Sequence, residues 1–435
     1  MSEWKDRTLG DLSTQRKGIN YKSEDYGDEH SGHPFITIKC FVKGGGYEPT
    51  GIKFYDGFST KADHLSPGDL LFSVTDLTRA GDIVGSPLRV PDFGSTKPAL
   101  ASMDCMRIEP IANRCNKRFL YHRLMLSDVR RQMIAYAAGS TVLHLDTKKV
   151  PCISVRIPVD VNVQSKIAFI LDGIDTAIEK TEALIAKYQQ IKAGLMHDLF
   201  TRGVLPNGQL RPPREQAPEL HQETAIGWIP KGWEINTLGQ LCEMTSGGTP
   251  SRSIPAYWGG SIPWVKTGEI KYEDISQTEE YITLKGLGAS SAKVFPAGTI
   301  VMAMYGEGIT RGRVAVLAVP CASNQACIGF SFGNQTQTKY MYYFFEHCYE
   351  ELRDLSNDGS QKNLSSGLLK QFQIRFPTSK AEQDCIASRL SNLDQRIASE
   401  KKYLQNLCQQ KLGLMHDLLT GKVPVKVKEP EAVDG

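Results

Sequence analysis

Ten residues near the middle of the chain return almost unchanged near its end. Lys192-Ala193-Gly194-Leu195-Met196-His197-Asp198-Leu199-Phe200-Thr201 reappears as Lys411-Leu412-Gly413-Leu414-Met415-His416-Asp417-Leu418-Leu419-Thr420, a shift of 219 residues. The same shift lays Gln164 on Gln383, Asp175 on Asp394 and Ile178 on Ile397, so the repeat spans 164–204 and 383–423. Self-similarity on this scale constrains the fold before any local signal does, because it makes the chain two related halves.

Each copy reads as one long helix. Ile167, Leu171, Ile174, Ile178, Thr181, Ile185 and Tyr188 step by four and three alternately, and so do Ile386, Leu390, Leu393, Ile397, Glu400, Leu404 and Leu407. That spacing is a coiled-coil seam. Roughly 36 residues at 1.5 Å per residue give a rod of about 54 Å, longer than a globular core needs. The two seams are expected to bury each other in an antiparallel pair, since a parallel pair needs a crossover as long as the helices. Thr181 and Glu400, the polar midpoints, then either face each other or sit at the seam's wet edge. Gly194 and Gly413 cost helix stability and suggest either a close backbone approach or a tolerated duplication. His197-Asp198 and His416-Asp417 look catalytic only on paper, because adjacent helical positions point about 100° apart.

The helices separate two globular stretches, 1–158 and 233–378, and the second echoes the frame of the first. Trp233-Glu234-Ile235-Asn236-Thr237-Leu238-Gly239 repeats the opening Trp4-Lys5-Asp6-Arg7-Thr8-Leu9-Gly10. Pro67-Gly68 and Pro296-Ala297-Gly298 each mark a turn before a strand, at Leu70-Leu71-Phe72-Ser73 and Ile300. A helix is expected from 117 to 138, ended by Gly139-Ser140, and another from about 340 to 355, ended near Gly359-Ser360. Strands mixed with late helices make each stretch an α+β unit. The full division is 1–158, a helix in 159–204, a Pro-rich linker in 205–232, 233–378, a helix in 379–421, and a tail at 422–435 expected to be disordered.

Composition excludes more than it assigns. The 435 residues are 40% hydrophobic and 23% charged, ordinary values for a soluble protein of more than one domain. No apolar run approaches the roughly 18 residues of a membrane span, and Met1-Ser2-Glu3-Trp4-Lys5-Asp6 has no secretory character, so a cytoplasmic protein is expected. Ten scattered cysteines without a C-x-x-C pair suggest buried thiols rather than zinc ligands. Residues 1–158 carry 22 lysines and arginines against 18 acids, and 233–378 carry 12 against 13, so any basic patch must come from folding. Nucleotide-loop, zincin and serine-hydrolase motifs are missing, as is the Asn-Pro-Pro-aromatic signature of amino-methyltransferases, which supports a binding protein.

In this order and twice over, several short motifs resemble the specificity subunit of type I restriction–modification systems. They are Trp4 with Thr8-Leu9-Gly10-Asp11, Trp233 with Thr237-Leu238-Gly239, Ser246-Gly247-Gly248-Thr249-Pro250-Ser251-Arg252, Trp258-Gly259-Gly260, Ile262-Pro263-Trp264-Val265, Gly312-Arg313-Val314-Ala315 with Asn324-Gln325, and the repeated Gly-Leu-Met-His-Asp-Leu. The resemblance covers 1–421, and the first globular unit departs most from the pattern. It implies two target recognition domains, 1–158 and 233–378, on an antiparallel pair of spacer helices related by a pseudo-twofold. It further implies a non-catalytic reader of a bipartite, asymmetric site in double-stranded DNA. Two methyltransferase subunits would dock on the helices and would hold S-adenosylmethionine, with restriction subunits joining through them. This chain would bind no cofactor and no metal, and would touch no membrane. Side chains suited to base edges or phosphates are Arg16, Lys17, Lys39, Lys43, Arg79 and Lys97 in the first domain. Those in the second are Arg252, Tyr257, Lys266, Tyr305, Arg311 and Arg313. Other classes left open are the recognition part of another DNA methyltransferase system and a coiled-coil adaptor that binds no DNA.

Overall fold

A computed structural model describes residues 3–306, 308–334, 336–355 and 363–426. The chain divides into two compact units, Met1–Glu182 with Lys402–Gly435, and Ala183–Lys401. The boundaries fall inside the two long helices, Val161–Arg202 and Lys380–Leu419, so each unit owns part of both.

In the first unit the opening strand Trp4–Thr8 pairs antiparallel with Ser154–Pro158, Trp4 opposite Pro158. Thr8 then starts a one-turn helix by a capping box: its hydroxyl accepts from Asp11 N, and the Asp11 carboxylate accepts from Thr8 N. A four-stranded antiparallel sheet follows in the order Ser13–Lys17, Cys105–Pro110, Leu70–Ser73, Pro87–Arg89. Leu9, Leu70, Phe72, Ile108, Phe119 and Leu120 make its core, which also takes in Ile167 and Leu171 from the first long helix and Leu418 and Leu419 from the second.

The helix expected over 117–138 is two helices, Lys117–Leu124 and Ser127–Ala135. Leu126 takes an extended conformation at the break. Arg123, almost fully buried, spans it with two hydrogen bonds to the Asp128 carboxylate. Gly139 does not end a helix either. Ala137–Ala138 and Leu143–Leu145 form a hairpin, and Gly139 supplies its turn at φ +142°. In the second unit the expected helix is likewise broken at Cys348, into Thr338–His347 and Tyr349–Asp354. Gly359-Ser360 and residues 427–435 of the tail lie outside the described residues.

The second unit repeats the frame. Trp233–Thr237 pairs with Gln373–Pro377, and the sheet order is Cys242–Ser246, Cys327–Phe332, Ile300–Ala303, Val314–Val316. Gly68 and Gly298 both adopt φ +84° before their strands, as the sequence signals required. Residues 205–232, expected as linker, hold a two-stranded hairpin, His221–Thr224 with Gly227–Pro230.

Inside each unit the segments of the two long helices pack with opposite polarity. Lys411 bonds Asp175 at 2.7 Å in the first unit, and Lys192 bonds Asp394 at 2.8 Å in the second. Both pairs join a residue early in one helix to a residue late in the other, which only antiparallel segments allow. The repeated Asp and Lys are thus each other's partners, exchanged between helices. The seam positions follow suit: Ile167, Leu171, Ile174, Ile185, Ile386, Leu390, Ile397 and Leu407 are buried, and Ile178, Tyr188, Leu393 and Leu404 are half-buried. Thr181 is buried as well and spends its hydroxyl on Ala177 O, so it does not sit at a wet edge.

Two repeated glutamines explain how the helices are joined to the domains. Gln164, fully buried, accepts from Asn116 N and donates to Arg114 O and Pro158 O. Gln383, also fully buried, accepts from Gln337 N and donates to Pro377 O. Each ties its helix to the end of the domain's closing strand and to the start of the domain's helix. Gln164→Leu is expected to cost about 1–3 kcal/mol, because it leaves buried backbone groups without partners; denaturant unfolding of the variant against the parent measures it.

A Cβ at Gly194 or Gly413 would meet nothing within 4 Å, so no close approach among the described residues needs either glycine. Alanine at each is expected to stabilise by roughly 0.5–1 kcal/mol, read as a raised midpoint in thermal unfolding. Stabilisation with weakened assembly onto a partner would show that a partner needs the bare backbone.

Candidate nucleic-acid interface

In the first domain Arg16 and Arg107 stand opposite each other across neighbouring strands. Their repulsion is offset by carboxylates: Asp63 lies 2.6 Å from Arg16, and Asp69 lies 2.9 Å from Arg107. Lys43 pairs with Asp82 at 2.6 Å, and Lys97 bonds Ser31 O beside Asp56. Lys17, Lys39 and Arg79 are exposed and make no ion pair among the described residues. These three differ from the others in having a full positive charge to offer. They lie on three separate elements: a strand end, the short turn Ile38–Cys40, and the loop after Thr75–Asp76.

In the second domain the glycine-rich motif 246–252 is a bracket. A Cβ on Gly247 would lie 2.3 Å from Ser323 O, and one on Gly248 2.4 Å from Ala292 N, so neither position admits a side chain. The buried Trp264 indole donates to Gly248 O at 2.9 Å. The bracket lays the Arg252 guanidinium 3.8 Å from the ring centre of Trp258, with one edge on Glu280 at 2.5 Å. Lys266 bonds Glu279 and Glu280 at 2.7 and 3.1 Å, and these contacts, Glu279's first, raise its ammonium above its ordinary value. The Arg252–Lys266 cluster is therefore neutralised within the chain. Tyr257 is half-buried, and Tyr305 is 43% exposed. Arg313 is half-buried with Tyr272 beneath it. Arg311 corrects an expectation: it is buried, and its guanidinium donates to Arg353 O, so it supports a loop instead of presenting charge.

Charged residues that the sequence reading passed over form a hub in the first unit. Asp172 lies 2.8 Å from Arg89, 2.8 Å from the buried His122, and bonds Arg118. Burial opposes ionisation of Asp172, but the His122 hydrogen bond and the two arginines outweigh it and hold the carboxyl well below the usual range. By spacing, His122, Asp172 and Asp175 could hold a metal. Their charges are instead met by Arg89, Arg118 and Lys411, which makes the cluster an ion-pair hub. The periodicity of the helix gave no sign of it, because Asp172 sits beside the seam and not on it.

The His-Asp pairs of the repeat stay apart. Asp198 bonds Arg202 at 2.8 Å, Asp417 approaches Lys422, and His197 faces His347. Six of the ten cysteines are buried, and Cys152 and Cys408 are exposed. All ten are unpaired, and burial pushes the Cys115 and Cys242 thiols up to about 12 and that of Cys321 up to about 11.

Two domains of one frame, each locked by a glutamine to antiparallel helix segments, match a known pattern. A family model for the type I restriction modification DNA specificity domain fits residues 1–190 and 230–409. The chain belongs to that family. Membership assigns it to DNA sequence specificity in a type I restriction–modification system. It is 34% identical over 198 residues to the type I restriction enzyme MjaIX specificity subunit of Methanocaldococcus jannaschii, an alignment covering 44% of each chain. It is 24% identical over 439 residues to the HindI specificity subunit of Haemophilus influenzae, covering 87% of this chain and 90% of that one. The crystal structure of the type I system S subunit from M. genitalium matches with a TM-score of 0.62 at 16% identity, over 98% of this chain and 97% of the other. At that identity the likeness speaks for the fold. No helix among the described residues is long and apolar enough to cross a membrane.

Proposed function

We propose that each domain reads one half of a bipartite, asymmetric site in double-stranded DNA and that the long helices set the unread spacer. The observation that carries this reading is the duplication itself. Two separately built domains share a frame and a glutamine joint, yet present different charged and aromatic groups. Helices of 42 and 40 residues extend about 60 Å, comparable to nearly two turns of B-DNA at roughly 34–36 Å each. The chain is non-catalytic in this reading. Two methyltransferase subunits dock on the helices and bring S-adenosylmethionine, and restriction subunits join through them. Of the first-domain candidates, Lys17, Lys39 and Arg79 meet DNA as free cations. Arg16, Lys43 and Lys97 must exchange a carboxylate or carbonyl for a phosphate.

The experiment is to purify the chain with its methyltransferase subunits and measure binding and methylation on a randomised duplex library. A two-part motif with an unread gap is expected, and affinity should fall steeply with salt as counterions are released. Methyl transfer by this chain alone would overturn the non-catalytic assignment. Salt-insensitive, unselective binding would favour a protein adaptor.

A further inference from the structure

Each domain projects one loop from the same place in its sheet, and both loops are hydrogen-bonded to a neighbouring short helix and expose an aliphatic side chain. In the first domain the loop joins Leu70–Ser73 to Pro87–Arg89; in the second it joins Ile300–Ala303 to Val314–Val316. These are the third and fourth strands of sheets with the same order.

The first loop is held from inside by Asp76. This carboxylate has no exposure and accepts four hydrogen bonds, from Thr78 N, Thr78 Oγ1, Ile83 N and Val84 N, at 2.5–3.0 Å. From beneath, Arg130 donates to Ser86 Oγ and to the carbonyls of Gly81 and Asp82. With its base so fixed, the tip 77–80 is exposed throughout: Leu77 is 59% exposed, and Arg79 has no ion-pair partner among the described residues. The turn 139–142 runs alongside, because Leu143 pairs with Asp76, and it exposes Ser140 and Thr141.

The second loop reaches the same design with other residues. Tyr349 donates to Ile309 O at 2.7 Å, and Arg353 donates to the Tyr349 hydroxyl at 2.6 Å. Ile309 is left 63% exposed and Tyr305 43% exposed. In both domains the brace comes from the second of two short helices, through Arg130 or Arg353. One exposed aliphatic residue is ordinary. The same exposure at equivalent loops, on backbones tied down from below, is a shared feature with different chemistry at its tip.

We infer that these two hairpin loops are the base-reading elements of the two domains. In the first, the Arg79 guanidinium takes the O6/N7 edge of a guanine, and Leu77 packs on a neighbouring thymine methyl in the major groove. In the second, Ile309 and Tyr305 supply apolar and hydroxyl contacts. Asp76 and Arg130 are positioning residues: they fix the tip before DNA arrives, so little chain entropy is lost on contact. The inference rests on the reading of this chain as a DNA binder.

The test uses the full chain with its methyltransferase subunits on a library randomised in both half-sites. Arg79→Ala and Leu77→Ala should relax the preference at one or two positions of the same half-site, by roughly five- to 150-fold for the arginine. The other half should stay intact and the salt dependence unchanged. Ile309→Ala should relax the opposite half. Asp76→Asn should relax the same half as Arg79→Ala although the tip residues remain. Since Leu77 and Arg79 are exposed, their variants should unfold at the parent temperature. Uniform weakening with a shallower salt slope would make Arg79 a phosphate contact and overturn base reading. An unchanged motif, or loss of subunit assembly in place of selectivity, would also overturn it. If the parent complex itself selects no sequence, the DNA reading fails, a result separable from all the others.

Discussion

Glu382→Ala is expected to remove roughly 4 kcal/mol from the unfolding free energy of the second unit. The Glu382 carboxylate accepts from Val204 N at 2.9 Å and from the Trp233 indole at 3.0 Å, and faces Arg211 at 3.4 Å. Arg211 is 5% exposed and also donates to Arg202 O and Val204 O. One carboxylate thus gathers the end of the first long helix, the linker, the second domain's opening strand and the start of the second long helix. Removing it strands a buried guanidinium, an indole N–H and a backbone N–H at once. Glu382→Gln keeps an acceptor but drops the charge, so a smaller loss should follow. Denaturant unfolding of the full chain, followed by fluorescence, reads both. An unchanged stability in Glu382→Gln would mean that the charge facing Arg211 contributes nothing.

The first unit shows how the same joint works without that carboxylate. The repeat places Val163 where Glu382 stands, and Val163 is buried in the core. The glycine–tryptophan contact is kept: a Cβ on Gly421 would lie 2.6 Å from the Trp4 indole, and one on Gly203 2.7 Å from that of Trp233. Both glycines adopt positive φ, Gly203 directly after its helix and Gly421 one residue beyond the end of the other, and each lies against the tryptophan that opens a domain. The meeting of Trp4 and Gly421 also brings the two described ends of the chain together.

What the sequence disclosed was what periodicity and repetition can encode. The seam from Ile167 to Leu407 was readable because burial demands a four–three spacing, and the Pro-Gly turns because only glycine tolerates positive φ cheaply. Duplication exposed Gln164 and Gln383 without revealing their work, since a buried glutamine looks like a surface one until its partners are known. The breaks at Leu126 and Cys348 were invisible: no proline or glycine marks them, and Arg123–Asp128 stabilises the first by a contact that spacing does not announce. Among the DNA candidates, residue type alone could not separate free Arg79 from paired Arg16 or buried Arg311. That distinction depends on where Asp63 and Arg353 fall in space, and both are remote in sequence.

Asp172→Asn is expected to cost the first unit roughly 3 kcal/mol near neutral pH, the low end for a buried charge cluster because Arg118 remains half in water. Asp172 joins the first long helix to the first domain: Arg89 reaches it from a strand edge, with Tyr121 stacked beneath at 4.2 Å, and His122 and Arg118 reach it from the domain's helix. Neutralising it takes the charged partner from His122 Nε2 and Arg118 and leaves Arg89 and Lys411 with Asp175 alone. The effect has a pH signature. The folded carboxyl titrates below its unfolded value of about 3.9, so between the two the unfolded chain binds the extra proton. The stabilisation is whole above about pH 4 to 5 and drains away as the pH falls through the folded value. Parent and Asp172→Asn should therefore differ most in unfolding temperature at neutral pH and converge in acid. A gap that stayed constant from pH 7 to pH 3 would show that Asp172 acts by shape and hydrogen bonding, not by charge. Because the hub lies where a recognition domain meets its spacer helix, its loss should also blur the spacing between half-sites in the methylation motif. That readout separates a joint that sets distance from one that only adds stability.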